Sequence, residues 1–358
     1  MSAHFVGPAL DSLLSQACAD FELIVVDDGS TDETAAILHA YAKRDARIRF
    51  LRNETNRGLI FTRNRALQES RGRYVAIADA DDLFHPQRFE KQLQFLRDHP
   101  ACGVVGSGVE ILNHDVRKTP ELAIYTEDRD IRFFMRLLPV LWNTTTCYRR
   151  DLLLEAGGYR EGFEAGAEDY DLWARLLPLT RFANLPEPLV KVRLHAASVS
   201  AEGFRCQRNV LRISARLIEE FLQHPVPIEL REQLHCFLMH AGMESSACER
   251  AFTLAREFYH QAAGVEASDT LQLFGNQLAQ SAWTQAQYQV YAARRLSRVM
   301  AGFALRLRPK LWVQPECAWY CCRWLAPGWL RLLYHRGFRT ITSDRRRPRP
   351  ISGAANLR

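Results

Sequence analysis

The sequence is poor in the features that mark an exported or membrane-spanning chain. Its nine cysteines are an odd number, scattered over 358 residues with no C-x-x-C pair. That pattern excludes a disulfide framework and a zinc ribbon, and it fits a reducing, cytoplasmic setting. Cys317, Cys321 and Cys322 form the one cluster, and without a second ligand pair they read as buried or interfacial thiols. No charge-free apolar run approaches the ~18 residues that span a bilayer, and no basic stretch followed by an apolar one opens the chain. The expectation is a protein neither exported nor threaded through a membrane. Acids are scarce mainly at the C-terminus: residues 301–358 hold twelve Lys or Arg against Glu316 and Asp344, a local +10 on a chain whose total is +6. The basic character therefore belongs to the tail. No nucleic-acid recognition fold accompanies it, so nucleic acid is not an expected partner.

What is present is ordinary globular material, 47% hydrophobic and 25% charged, in a chain long enough for two domains. Leu10, Leu13, Leu14 and Ala17 recur at helical spacing after Pro8, which suits a first helical turn. FELIVV (Phe21–Val26) reads as a continuously apolar strand, covered on both faces, that stops at Asp27-Asp28-Gly29. Ser30 and Glu33 have capping-box spacing and predict a helix to about Tyr41. Ile48–Arg52 and Tyr74–Ala78 read as further strands, Leu59–Ser70 and Pro86–Asp98 as helices. The alternation predicts an α/β fold with a doubly wound sheet, whose ligands bind outside the carboxyl ends of the strands. From Arg205 glycine becomes scarce and Val210, Ile213, Leu217 and Phe221 fall at helical spacing, so residues 1–204 are expected to form the catalytic domain and 205–358 an all-helical region.

Acidic clusters punctuate these strand ends. Asp79 and Asp81, one residue apart on an abrupt turn with Asp82 beside them, can bind one hard cation through oxygen and leave positions open for phosphate and water. Alone, such a cluster reads as a solvated loop. Asp27-Asp28-Gly29-Ser30 adds a second acidic turn on what should be the same rim, and an acid there can accept hydrogen bonds from a nucleobase or ribose, with Asp28 the candidate. Glu168-Asp169 opens a third acidic segment. Carboxylates favour helix starts for the dipole alone, but transfer to an alcohol with inversion needs a general base, and Asp169 is the candidate.

SLLSQ, FELIVVDDGSTDET, NRGLIFTRN, GRYVAIADADD, the GGY of Gly157–Tyr159, AEDYDLWARL and PLVKVRLHAASVS follow one another over residues 8–200. In order and spacing this resembles the family 2 glycosyltransferases, with the GT-A fold. The resemblance implies an inverting transferase that moves a sugar from a nucleotide-sugar, a UDP-sugar first among them, to a hydroxyl acceptor in cell-envelope polysaccharide or glycolipid assembly. It implies a divalent metal, Mn2+ or Mg2+, held by Asp79 and Asp81, with Asp79 also handling the sugar-diphosphate and Asp28 the base. Asp169 takes the role of base, and Glu168 that of placing the acceptor or orienting the base. His195 falls where a contact with phosphate or metal is implied, or else is a surface histidine. Arg57, Arg63 and Asn64 are implied to pack near the diphosphate, against the alternative of a solvated basic helix face. Trp142 to Thr146 are implied to line the acceptor side, where an aromatic face stacks on a sugar ring, against the alternative that Trp142 belongs to the core. Sugar-phosphate nucleotidyltransferases share a similar sheet, but their glycine-rich N-terminal loop with Arg and Lys is missing.

The resemblance also implies a strand ahead of the first helix, reading roughly V-S-V-I-I-P-x-Y-N, which this sequence lacks. Two expectations compete: a start assigned too late, or a damaged relative acting as a sugar- or nucleotide-binding scaffold. In the tail, Trp312, Trp319, Trp324 and Trp329 alternate with arginines, which suits either peripheral attachment to the inner face of a membrane beside a lipid-linked acceptor, or packing on the catalytic domain.

Overall fold

The computed structural model describes residues 3–112, 124–163, 166–193, 204–238, 243–265, 268–289 and 294–308. His195, the cysteine cluster and the aromatic, basic tail lie outside the described residues. Strands and helices alternate as expected: α1 (Ala3–Leu14), β1 (Leu23–Asp27), α2 (Thr34–Arg44), β2 (Ile48–Arg52), α3 (Leu59–Glu69), β3 (Tyr74–Ala76), β4 (Leu83–Phe84), α4 (Arg88–Asp98), β5 (Cys102–Leu112), α5 (Asp128–Met135), β6 (Cys147–Arg149), α6 (Arg150–Glu155), α7 (Glu168–Leu176) and β7 (Arg181–Arg193). Five helices follow: α8 (Phe204–Leu222), α9 (Ile228–Leu238), α10 (Ser245–Ala263), α11 (Ser268–Gln289) and α12 (Arg294–Leu307). No helix among the described residues is long and apolar enough to cross a membrane.

The strands fall into two sheets, a parallel β1–β2 pair and a mixed five-stranded sheet ordered β3-β6-β5-β7-β4. Alternate residues of its strands serve opposite faces. Val104 and Tyr148 join the large core formed with Ile60 and Leu67 of α3, Ile131 and Met135 of α5, Tyr170 and Trp173 of α7, and Ile213 and Leu217 of α8. Their neighbours Val105 and Cys147 join a smaller core with Leu96 of α4. Helices thus cover both faces, and the acidic turns sit on the rim between layers.

Three local expectations are corrected. α1 begins at Ala3 rather than near Pro8, which lies inside it, and its buried face is Val6, Ala9, Leu10 and Leu13, while Ala17 is exposed. Ser30 and Glu33 form no capping box: α2 starts at Thr34, whose N–H donates to Asp32 Oδ1 at 3.0 Å, and the Ser30 N–H is held by Asp27 Oδ1 at 3.0 Å. The nearer acid wins because each aspartate reaches a backbone donor two or three residues ahead without bending the chain. Leu23–Val26, read as fully covered, are half-buried, for among the described strands β1 has a partner only in β2.

Contacts divide the chain into two compact units, Met1–Glu232 with Gln261–Thr270, and a helical unit made of the remainder from Gln233. In the second, Phe258 meets Phe274 edge-on at 5.5 Å and Phe252 meets Phe303 at 5.3 Å. The first unit holds all three acidic segments.

One clamp in the first unit fixes the site's floor. Asn64 on α3 donates its amide to the Tyr159 carbonyl at 2.8 Å and accepts the Tyr159 N–H at 2.9 Å, satisfying both backbone groups of that residue. From the other side Arg175 on α7, paired with Asp171 at 2.8 Å, donates to the Gly158 carbonyl at 2.7 Å. Gly158 has φ +66° and a Cβ there would lie 2.5 Å from Asn64 Oδ1. Gly158→Ala therefore meets two penalties, left-handed backbone strain and displacement of the Asn64 amide. The expected cost is about 2 kcal/mol, a fall of about 4–8 °C in the unfolding midpoint. In an Asn64→Ala background the same change should cost at least ~0.5 kcal/mol less, because the clash has gone.

Candidate active site

The first acidic turn is built around Asp28. Its Oδ1 accepts from Asn53 Nδ2 at 2.6 Å and from the Arg57 N–H at 2.8 Å, and its Oδ2 accepts from the Gly58 N–H at 2.8 Å. Burial alone would raise this carboxyl, but the donors from Arg57, Asn53 and Gly58 outweigh it and hold it below the usual range, so Asp28 is an anion. Its hydrogen bonds span from β1 to the loop that starts α3, and the Thr62 side chain of α3 adds a further one. Gly29 has φ +73°, and any Cβ would sit 2.8 Å from the backbone at Asn56. The loop passes too close for another residue.

Arg57 contributes to this turn through its backbone. Its guanidinium is exposed and lies over the Phe61 ring at 4.1 Å.

Arg63, one turn further along α3, carries the connection to the other acidic segments. Its guanidinium pairs with Glu168 at the start of α7 and with Asp79 at 3.3 Å. With the Asn143 amide turned so that its oxygen faces the guanidinium, that oxygen accepts at 2.9 Å. The Tyr159 ring lies below at 5.4 Å. The arginine side chain is only 15% exposed, Glu168 5%, but Asp79 39%. Burial alone would lower this arginine, and the charges of Asp79, Glu168 and Asp169 raise it instead. It is a permanent cation bonded to two of the three acidic segments.

The Asp79–Asp82 turn is held from below. The Asp79 N–H donates to Thr144 Oγ1 at 3.3 Å, and Arg193, ending β7, donates its N–H to Asp82 Oδ1 at 2.9 Å and its Nε–H to the Asp81 carbonyl at 3.1 Å. Asp82 is buried and pushed up to about 6 by desolvation, with Asp79 and Asp81 adding to the shift against the Arg193 N–H. Asp79 and Asp81 remain half-buried, two hard oxygen donors on one turn. Among the described residues no three His, Cys, Asp or Glu side chains form a metal cluster.

Asp169 follows Glu168 in the first turn of α7. The preceding Ala167 caps the helix with φ +71°, a left-handed conformation that costs an alanine about 1 kcal/mol, and it turns the chain sharply enough for both acids to enter the site. Asp169 Oδ1 accepts the Tyr170 N–H at 2.7 Å. Beneath, Trp173 Nε1 donates to the Tyr148 hydroxyl at 2.7 Å, and the Tyr170 hydroxyl to the Met135 carbonyl at 2.5 Å, which anchor α7 on the core.

Of the expected residues, Arg63, Asp79, Glu168 and Asp169 are thus brought together, Asp81 lies on the same turn as Asp79, and Asp28 is bonded to the backbone at the start of α3, the helix that carries Arg63. Trp142 is half-buried against Leu13, Phe84, Val190 and Val192, and His195 lies outside the described residues. Sequence reasoning gave Tyr159 and Arg193 no role, and read Asn143 and Thr144 as part of an acceptor-side stretch, whereas they bond to Arg63 and to the Asp79 N–H. The GGY and NTTT runs were the available signals, but nothing in one sequence says which helix they bond to.

The family Glycosyl transferase family 2 matches residues 2–157. The O-antigen biosynthesis glycosyltransferase WbnJ of Escherichia coli is 31% identical over 227 residues, 61% of this chain and 87% of that protein. The amylovoran biosynthesis glycosyltransferase AmsE of Erwinia amylovora is 33% identical over 189 residues, 51% and 68% of the two chains. Among solved structures, residues 1–349 of S. aureus TarS in complex with UDP-GlcNAc superpose with a TM-score of 0.52 over 86% of this chain and 85% of that one, at 19% identity, a likeness of fold. The rim of carboxylates on a mixed α/β sheet followed by helices is that of a GT-A-type glycosyltransferase. The chain belongs to the family 2 glycosyltransferases.

The electrostatics of Asp169 give a stability prediction. Desolvation foremost, then the charge of Glu168, push its carboxyl up to about 7 against Arg63 and the Tyr170 N–H. In the unfolded chain an aspartate ionises near about 4. Between those values the folded protein holds the extra proton, so the stability present at low pH is lost as pH rises through about 7. Asp169→Asn keeps the acceptor for Tyr170 and removes the buried charge. It should raise the thermal midpoint at pH 8, with the advantage shrinking as the pH is lowered toward about 4. Equal midpoints at pH 8 would contradict the assignment.

Proposed function

We propose that the chain transfers one sugar, with inversion, from a nucleotide-diphosphate sugar to a hydroxyl acceptor, with a UDP-sugar as the first donor to test. The observation that carries this reading is the joining of Asp79, Glu168 and Asp169 around the single cation Arg63. Asp28 takes the nucleobase, as an ionised acceptor. Asp79 and Asp81 are the residues suited to a divalent Mn2+ or Mg2+, whose charge would stabilise the departing diphosphate. Asp169 takes the proton of the attacking hydroxyl: a carboxyl raised to about 7 is a stronger base than an ordinary aspartate and is ionised at neutral pH in a useful fraction. Glu168, locked to Arg63, orients it. Arg57 and Arg63 lie along the path from the base to the acidic turn, beside the expected diphosphate.

The named relatives act in O-antigen and amylovoran biosynthesis, and TarS was solved with UDP-GlcNAc. They support a polysaccharide or lipid-linked glycan acceptor and a UDP donor here. In this reading residues 1–204 form the catalytic domain and residues 205–358 a helical region, with His195 a further phosphate or metal contact and Trp142 on the acceptor side. The basic, aromatic tail would hold the enzyme to an anionic membrane surface.

A donor-panel assay with metal, scoring hydrolysis and transfer separately, tests the assignment. Asp81→Ala should lose metal-dependent donor binding, whereas Asp169→Asn should bind donor and metal like the parent yet lose at least ~100-fold in transfer, the scale of one general base. Undiminished transfer by Asp169→Asn removes it from the role of base. For the tail, flotation with anionic vesicles at low salt should carry the full chain upward and release it at high salt; absence of lipid association at low salt refutes the membrane role.

A further inference from the structure

The Tyr159 hydroxyl is anomalous. The residue is 4% exposed, its backbone is held on both sides by Asn64, and its ring supports Arg63, yet its Oη is buried with no hydrogen-bond partner among the described residues. A phenylalanine would fill the same space, support the same guanidinium and bury no unpaired polar atom. The turn that carries it is bonded directly to α7, through Arg175 to the Gly158 carbonyl, and the charged or titratable groups that act on the phenol are Tyr148, Arg63, Asp169 and Glu168. Of these, Arg63 is already committed to Glu168 and Asp79 and is itself a donor, and Tyr148 is bonded to Trp173. Asp169 has one oxygen on the Tyr170 N–H, and among the described residues its second oxygen takes no hydrogen bond. A buried donor without an acceptor therefore sits in the same cluster as a carboxylate oxygen without a donor.

We propose that Tyr159 is a positioning residue for the base: in the reacting complex its hydroxyl donates to the free oxygen of the ionised Asp169 carboxylate, fixing which lone pair faces the acceptor hydroxyl. The inference rests on the reading of Asp169 as base. The groups facing Asp169 are Glu168 on its own helix, Arg63 of α3, Asp79 of the acidic turn, Tyr148 of β6 and Tyr159 of the GGY turn. Of the two phenols, Tyr148 is engaged by Trp173 and Thr146, so Tyr159 is the one whose hydroxyl has no partner among the described residues. Such a bond favours the charged form, so removing it makes the base harder to ionise.

Tyr159→Phe tests this without emptying the core. The expected result is a fall of about tenfold or more in kcat for transfer, with donor KM within about twofold and an acid limb of the kcat–pH profile moved to higher pH. The thermal midpoint should be unchanged or higher. An unmoved acid limb with kcat intact overturns the proposal, and so does a lowered midpoint with an unmoved limb, which would give the hydroxyl a structural partner. Asp169→Asn measured alongside separates the two ideas: if that variant still transfers sugar, the base assignment has failed, whatever Tyr159→Phe shows.

Discussion

The site depends on one buried cation. Arg63 lies between Glu168 and Asp79, which are far apart in sequence, and without it α7 and the acidic turn would bring like charges together. Removing one partner from a buried ionic cluster leaves the others uncompensated, which costs about 3–5 kcal/mol. A lysine would not serve equally, because the planar fork meets Glu168, Asp79 and Asn143 at once, in fixed directions. The ion pair therefore does less to stabilise the fold than to select one arrangement of its carboxylates.

That arrangement is kept by backbone features that seem unrelated in sequence. Ala167 is strained so that α7 can begin with both acids in the site. The strain is offset where α7 is anchored, by Trp173 on Tyr148 and Arg175 on the GGY turn. Asn64, next to Arg63 on α3, grips the same turn from the far side. Two adjacent residues of one helix thus bond to two different partners, Arg63 to the charges and Asn64 to the backbone beneath them. Rotation of α3 would break both sets together.

Much of this was legible in the sequence because each acidic cluster follows a distinctive local signal. A continuous apolar run ending in Asp-Asp-Gly or Asp-Ala-Asp-Asp marks a strand leading into a turn, whatever lies elsewhere in the chain. The partner of each acid was not legible. Arg63 and Glu168 are 105 residues apart, and a lone arginine on a helix reads equally well as solvated. The capping error at α2 has the opposite origin: Asp27 and Asp32 compete with Ser30 for the same few donors, and their geometry decides. The half-buried β1 shows that an apolar run reports a strand's composition, while burial depends on neighbours.

The half-buried Asp79 and Asp81 share one turn beside a cation already in use. Arg63 is engaged by Glu168 and Asp79 and has little attraction left for a diphosphate. Arg193 spends its N–H and Nε–H on the turn itself, and Arg57 lies exposed over Phe61. A nucleotide-diphosphate sugar arriving here would meet the carboxylates of Asp79, Asp81 and Asp169, whose charge opposes its own. In the proposed reading a divalent cation at Asp79 and Asp81 would offset that repulsion, and Asp79, less enclosed than Glu168, is the partner of Arg63 with the freer access to it.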